Sequence, residues 1–334
     1  MIRGSSRNSE NSSTFKGSKE NISNLLIQRT ITRYVPLILL SIVIVVFGLF
    51  VPHFLTSRNI INILKQSSFL GLMAMGMTEV LIGGGIDLSI PPIMAFGGII
   101  GAMFMRGGGN PLLACFIIIA VCTLGGAING YAVAYLKMIP FIVTLSSMYI
   151  ATGASIWLTR ELSIAVVNPA FINTLTGKIW IIPVPVVILF VTLLIVYSFT
   201  RYSVYGRWLY AVGSNPAVAH SLGIPKDLII FGTYVFSGLF AGFASITATA
   251  RLASASPSMG REVLVLDVIG SSVVGGVSVY GGIGSPLGAV VGAIFLTVIS
   301  NSMNLMHVSY YMTLLVKGSL IIAVVALDTY RKHG

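Results

Sequence analysis

From residue 35 onward, long apolar runs alternate with short polar or glycine-rich breaks. The first run is Val35 to Val51. Further runs cover about 66–82, 90–105, 111–136, 140–158, 180–199, 228–250, 263–280, 286–305 and 310–327. The hydrocarbon core of a bilayer takes about 20 apolar helical residues to cross. Lipid offers peptide groups no hydrogen-bond partner, so such runs become helices. The pattern predicts an all-α polytopic membrane protein with about ten transmembrane helices. The first run is long for a signal-peptide core and no A-x-A-like site follows Pro52-His53, so it is a retained span. The stretch 263–305 is one long run broken only by glycine and proline.

Composition agrees. Of 334 residues, 55% are hydrophobic and only 9% charged, with a mean hydropathy of +0.94. Soluble domains carry about 25% charged residues. A water-soluble enzyme, a nucleic-acid binder and a disordered protein are excluded as whole-chain readings. Residues 1–33, rich in Ser, Asn and charge, predict a disordered cytoplasmic tail. Residues 34–328 form the membrane domain and 329–334 a second cytoplasmic tail.

The net charge of +11 suits anionic lipid rather than nucleic acid. Ten spans place twelve Lys/Arg on the side of the two tails, Lys137 and the 200–227 connection. They place seven on the other side, with Lys317 inside a span. That bias puts both termini in the cytoplasm.

Catalytic chemistry is missing from the sequence. Cys115 and Cys122 share one apolar run and offer neither a disulfide framework nor a metal cluster. His53, His220, His307 and His333 are scattered. Gly177-Lys178 is followed by Ile179 and lacks the upstream glycine of a phosphate loop. No G-x-S-x-G elbow or acid dyad appears. The expectation is a non-enzymatic chain without a metal or a cofactor of its own.

Small residues lie inside the spans. Gly238/Gly242 and Gly288/Gly292 are G-x-x-x-G pairs, which permit close helix approach; they fit packing within one subunit or a dimer seam. Gly84-Gly85-Ile86 and Gly281-Gly282-Ile283 echo each other, as a parallel repeat of spans two and three with eight and nine would.

The 200–227 connection predicts a short helix. Asn215 suits an N-cap and Pro216 the first turn. Ala217 to Leu222 supplies about two turns, Gly223 a left-handed stop, and Pro225 prevents continuation. Such a helix is either a bare surface element or one that docks into a partner's groove.

Several segments resemble ribose-type sugar permeases of ABC importers. Gly84-Gly85-Ile86-Asp87-Leu88-Ser89 resembles their G-G-I-D-L-S segment. Gly206-Arg207 with Ala211-Val212-Gly213-Ser214-Asn215-Pro216 and Gly223-Ile224 is similar to their cytoplasmic coupling segment. Asn129-Gly130 with Pro140-Phe141-Ile142-Val143-Thr144-Leu145, and Gly275-Gly276-Val277-Ser278 with Gly281-Gly282-Ile283-Gly284-Ser285, resemble two further motifs. The matches run in order from about residue 55 to 328. Departures are Ala217, where an acidic residue is usual, Ile90-Pro91-Pro92 after the D-L-S segment, and Val265-Leu266 before Asp267.

The resemblance implies a transmembrane permease subunit in the bacterial inner membrane. It implies a cytoplasmic ATPase that binds ATP and Mg, an extracytoplasmic solute-binding protein, and a second permease copy or sister permease. The coupling segment would contribute Gly206, Arg207, Asn215, Pro216, Ala217 and Gly223. The solute would be a small neutral one, a monosaccharide such as ribose. The competing readings are a proton- or sodium-coupled transporter, an ABC permease for a non-sugar solute, and a non-transporting receptor or scaffold.

Charges inside spans are functional candidates, because each is costly there. Asp87, with Gly84, Gly85 and Ser89, is either a turn or capping acid or part of a gate. Glu79, near an inner span end, lies within reach of the interface. Asp267 and Lys317 lie about 6 and 10 Å deep at 1.5 Å per residue and can pair between spans eight and ten. Candidates for the pathway wall are Asn129, Thr144, Ser146, Ser147, Thr152 and Ser155, each of which can instead bond its own helix.

Overall fold

The computed structural model describes residues 35–333, so the tail expected over 1–33 lies outside the described residues. Helix starts follow the prolines. Helix α1 covers Val35–Phe50 and α2 Ser57–Ile82. Pro91-Pro92, Pro111 and Pro140 open α3 (Ile90–Arg106), α4 (Pro111–Ala134) and α5 (Pro140–Thr159). Pro169 opens the short α6 (Pro169–Thr176), and α7 spans Val184–Tyr202. The first turn of a helix needs no N–H from its own residues, so proline fits there.

The 200–227 connection holds two helices, α8 (Val204–Ser214) and α9 (Pro216–Ser221). After them come α10 (Lys226–Leu252), a 3-10 turn at Pro257–Gly260, α11 (Glu262–Val274), α12 (Pro286–Leu305) and α13 (Tyr310–His333). The α13 helix runs on to His333, through most of the expected C-terminal tail. Two-residue strands form two small antiparallel pairs. β1 (Ile164–Ala165) pairs with β4 (Ser254–Ala255), and β2 (Lys178–Ile179) with β3 (Ile182–Pro183).

Among the described residues, six helices are long and apolar enough to cross a membrane: α2, α4, α5, α7, α10 and α12. The span expected over 263–280 ends early, because Gly275 and Gly276 close α11 after Val274. Thirteen residues rise only about 20 Å. The expected span at 180–199 starts late, since 178–183 forms the β2–β3 hairpin.

Helix α2 is the centre. From Leu70 to Ile82 every residue is buried, and all but Thr78 and Glu79 are apolar or glycine, as befits a buried helix. It is enclosed by α7, α10, α11 and α12. The glycine pairs serve packing within the chain. Gly238 and Gly242 press on Cys122 and Ile119 of α4, while Gly126 and Gly130 of α4 press on Tyr234 and Phe231 of α10. Gly288 and Gly292 press on Gly275 and Ser271 of α11. In each of these, a Cβ would meet backbone.

The 84–86 and 281–283 echo is not matched in backbone conformation, since Gly282 is left-handed at φ +74 and Gly85 is not. At the end of α2, the N–H groups of Gly83, Gly84 and Gly85 bond the carbonyls of Glu79, Leu81 and Val80. At the end of α11, those of Gly275, Gly276 and Val277 bond Ser271, Val273 and Ser272. Gly84 and Gly276 are both left-handed, at φ +82 and +87. The same turn closes α3 at Gly108, α9 at Gly223 and α12 at His307, so it is a general helix stop here and not the mark of a repeat; the 281–283 glycines lie in the loop before α12.

Candidate functional site

After α2 the chain turns back into the bundle. Asp87 reaches Ser237 of α10, and Ser237 packs beside Gly76, six residues or about 9 Å before the α2 end. There Asp87 is 1% exposed. A carboxylate so placed is costly unless its lone pairs are filled. Oδ1 accepts from the Ser89 N–H at 3.0 Å and the Ser89 hydroxyl at 2.5 Å, and Oδ2 accepts from the Ser237 hydroxyl at 2.7 Å.

The chain of donors continues. Asn129 Nδ2 of α4 donates to Ser89 Oγ at 2.8 Å, and the Ser147 hydroxyl of α5 donates to Asn129 Oδ1. Every hydrogen points toward Asp87. The neighbouring Ile86 carbonyl accepts from Tyr234 Oη at 3.3 Å and lies 3.4 Å from Thr144 Oγ1, whose hydrogen goes to the Pro140 carbonyl of its own helix at 2.9 Å. One polar cluster thus ties the α2–α3 turn to α4, α5 and α10.

Of the expected wall residues, Asn129, Thr144 and Ser147 join this cluster, while Ser146 stands exposed and apart. Ser155 bonds its own Ala151 carbonyl. Gly85 lies under the Tyr234 hydroxyl, and Gly84 supplies the left-handed turn. Ser237 carried no visible signal: beside Gly238 it reads as one more small packing residue.

Beyond Asp87, the outer face of the 200–227 connection is built by α9. Asn215 Oδ1 accepts from the N–H groups of Ala217 and Val218, both at 3.1 Å. Gly223 is left-handed at φ +75, and the Ile224 N–H bonds the Ala219 carbonyl. Arg207, Asn215, Pro216 and Ala217 are exposed. Gly206 is buried and faces inward, pressed on the Thr200 carbonyl. Thr200 in turn donates to Glu79 Oε1 of α2 at 2.8 Å. Lys137, between α4 and α5, pairs with Asp227 at the start of α10 at 2.5 Å.

Helix α8 was not legible in the sequence, and it brings its own contacts. Gly213 presses on the Ile82 carbonyl. That carbonyl, orphaned at the α2 end, accepts from the Gly282 N–H at 2.9 Å. Tyr210 Oη donates to the Gly284 carbonyl at 2.8 Å. Burial pushes the Tyr210 hydroxyl up to about 12, so it stays a donor at neutral pH.

Away from this end, Lys317 Nζ of α13 lies 3.0 and 2.8 Å from the two oxygens of Asp267 on α11. Among the described residues, no group of three His, Cys, Asp or Glu side chains could hold a metal.

Membrane-crossing helices, a re-entrant polar turn and a capped helix in a polar connection describe a transport permease. The family described as "Branched-chain amino acid transport system / permease component" matches residues 59–325. The chain belongs to that family of permease components. It is similar to the D-allose transport system permease protein AlsC of Escherichia coli K12, with 36% identity over 89% of this chain and 91% of that protein. It is similar to the Bacillus subtilis ribose import permease protein RbsC, at 34% over 88% and 91%. The galactose/methyl galactoside import permease protein MglC of Haemophilus influenzae is 30% identical over 94% and 97%. No solved structure matches the chain.

Proposed function

We propose that the chain is one of two permease subunits of an ATP-driven importer in the bacterial inner membrane, and that it passes a neutral monosaccharide into the cytoplasm. The observation that carries this is the similarity, along about nine-tenths of the chain, to permeases named for allose, ribose and galactose. The family description itself names branched-chain amino acids, which keeps a non-sugar solute as the second reading.

In this reading ten helices cross the membrane, α11 completing its crossing through the 275–285 loop, and both termini are cytoplasmic. The α9 helix, with Arg207, Asn215, Pro216 and Ala217 outward, seats on a partner ATPase that holds ATP and Mg. An extracytoplasmic binding protein delivers the solute, and a second permease copy or sister permease completes the path. The turn at 83–89 is the gate. Irregular backbone inside a bilayer is tolerated only where protein buries it or a cavity needs it, and broken helices mark the sites of transporters. The neutral hydroxyl and amide groups of Ser89, Asn129 and Ser147, gathered around the single Asp87 carboxylate, match a solute that needs hydrogen bonds but no counter-ion.

The test is uptake of labelled D-allose, D-ribose and D-galactose, against leucine, by proteoliposomes holding the permease with its ATPase and binding protein. Uptake of one sugar that survives a protonophore and stops without the ATPase supports the reading. Leucine uptake alone selects the second reading. Accumulation by the permease without the ATPase would overturn both.

A further inference from the structure

The coupling helix α9 is only half of the 200–227 connection, and α8 makes contacts that docking onto a partner does not require. One face of α8 carries Gly206, Leu209, Tyr210 and Gly213, spaced three or four apart as one helical stripe. Leu209 is fully buried. The two glycines let α8 lie directly on backbone, Gly206 on the last turn of α7 and Gly213 on the last turn of α2. Thr200, under Gly206, is tied to Glu79 one turn back from the end of α2. Tyr210, between the two glycines, reaches the Gly284 carbonyl, and Gly282 holds the Ile82 carbonyl. The 278–285 loop leads directly into α12 at Pro286.

We propose that α8 is a strut, with Tyr210 as its positioning residue, that passes displacement of the docked α9 helix both to α2, and so to the Asp87 turn, and through the 278–285 loop to α12. This rests on the permease reading above. Backbone-on-backbone packing makes the strut stiff: neither Gly206 nor Gly213 has a side chain that could flex and absorb the movement. The Tyr210 hydroxyl donates from α8 to the loop at 2.8 Å, and losing it loosens the loop on α8 so that it lags behind, while the Gly282 N–H still holds the Ile82 carbonyl.

The test uses the whole importer, this chain with its ATPase and binding protein, in lipid nanodiscs and proteoliposomes. The variant is Tyr210→Phe, which removes a single oxygen. ATPase co-purification and ATP hydrolysis should stay within about twofold of the parent. Sugar moved per ATP should fall about fivefold, the weight of one neutral hydrogen bond. Hydrogen exchange gives a readout that needs no solute. On vanadate trapping the parent should change protection in 204–222 and in 278–289 together, and Tyr210→Phe should change only the first. The strut is overturned if the parent loop does not respond to trapping, or if the variant keeps both the loop response and the transport per ATP. If the parent moves none of the sugars yet its loop response is lost in the variant, the strut stands and the sugar reading falls. If hydrolysis, assembly and transport all fall together, Tyr210 is merely structural and the proposal fails.

Discussion

Lys317 on α13 sets its ammonium 2.8 Å from one oxygen and 3.0 Å from the other of the Asp267 carboxylate on α11. Both side chains are mostly buried, at 12% and 15% exposure. A pair taken out of water is weak evidence for net stability, but removing one partner strands the other charge. The pair joins two helices that are distant in sequence, and α11, at 13 residues, is the shortest helix on any of the ten expected runs.

Lys317→Ala should therefore destabilise the protein by about 3 kcal/mol, seen as a lower detergent unfolding midpoint and a lower membrane yield. Adding Asp267→Asn should restore part of that loss, because no unpaired carboxylate remains. Losses that simply add would show that the two groups act independently.

Asp87 and Ser237 give a second prediction. Ser237→Ala removes the donor to Oδ2 and leaves a buried lone pair unfilled, at about 1–3 kcal/mol. Asp87→Leu removes the acceptor on which four elements converge and strands Ser89 and Ser237 together, so it should cost more. Thermal unfolding should rank the variants parent, Ser237→Ala, Asp87→Leu. An equal midpoint for all three would mean that the cluster contributes nothing to holding the turn.

Much of this arrangement was legible in the sequence. Proline and asparagine mark helix starts by local chemistry, so the α9 limits could be read from Asn215, Pro216 and Gly223 alone. The apolar runs gave most of the spans for the same reason, since lipid imposes length and composition on each run separately. Reading failed where tertiary packing decides. Nothing in Val204–Ser214 announces a helix laid on α2, because Gly206 and Gly213 look like helix breakers until their neighbours are known. Ser237 is one serine in an apolar run until Asp87 faces it. The 84–86 and 281–283 likeness is one of letters, because Gly282 is left-handed and Gly85 is not.

Asn215 gives a third prediction. Its side chain fills two of the orphan N–H groups of a helix only six residues long, too short to persist without a cap. Asn215→Ala should cost about 1 kcal/mol locally, and Asn215→Asp should cost little. The unfolding midpoint of the whole permease should hardly move, because Ala219 is the one residue of α9 that enters the main core. Recovery of the ATPase in a pull-down should fall several-fold for Asn215→Ala and return for Asn215→Asp. A midpoint that fell with unchanged ATPase recovery would assign the cap to general stability.

Gly238 and Gly153 test the close packing of α4 on α10. A Cβ at Gly238 would collide with the Cys122 carbonyl and lie 3.0 Å from the Thr123 Cα, both backbone atoms of α4. Backbone has no rotamer with which to move aside, so the helices must separate, and overpacking of this kind costs about 1–3 kcal/mol or more. Gly153 on α5 has nothing within 4 Å of the same position. Gly238→Ala should thus lower the unfolding midpoint and the yield of folded protein clearly, whereas Gly153→Ala should leave the midpoint unchanged or slightly raised, as the better helix former. Because both glycines are mid-helix and both changes add a single methyl group, the difference isolates helix approach from helix propensity. Equal effects from the two substitutions would rule out glycine-mediated contact as what holds α10 to α4.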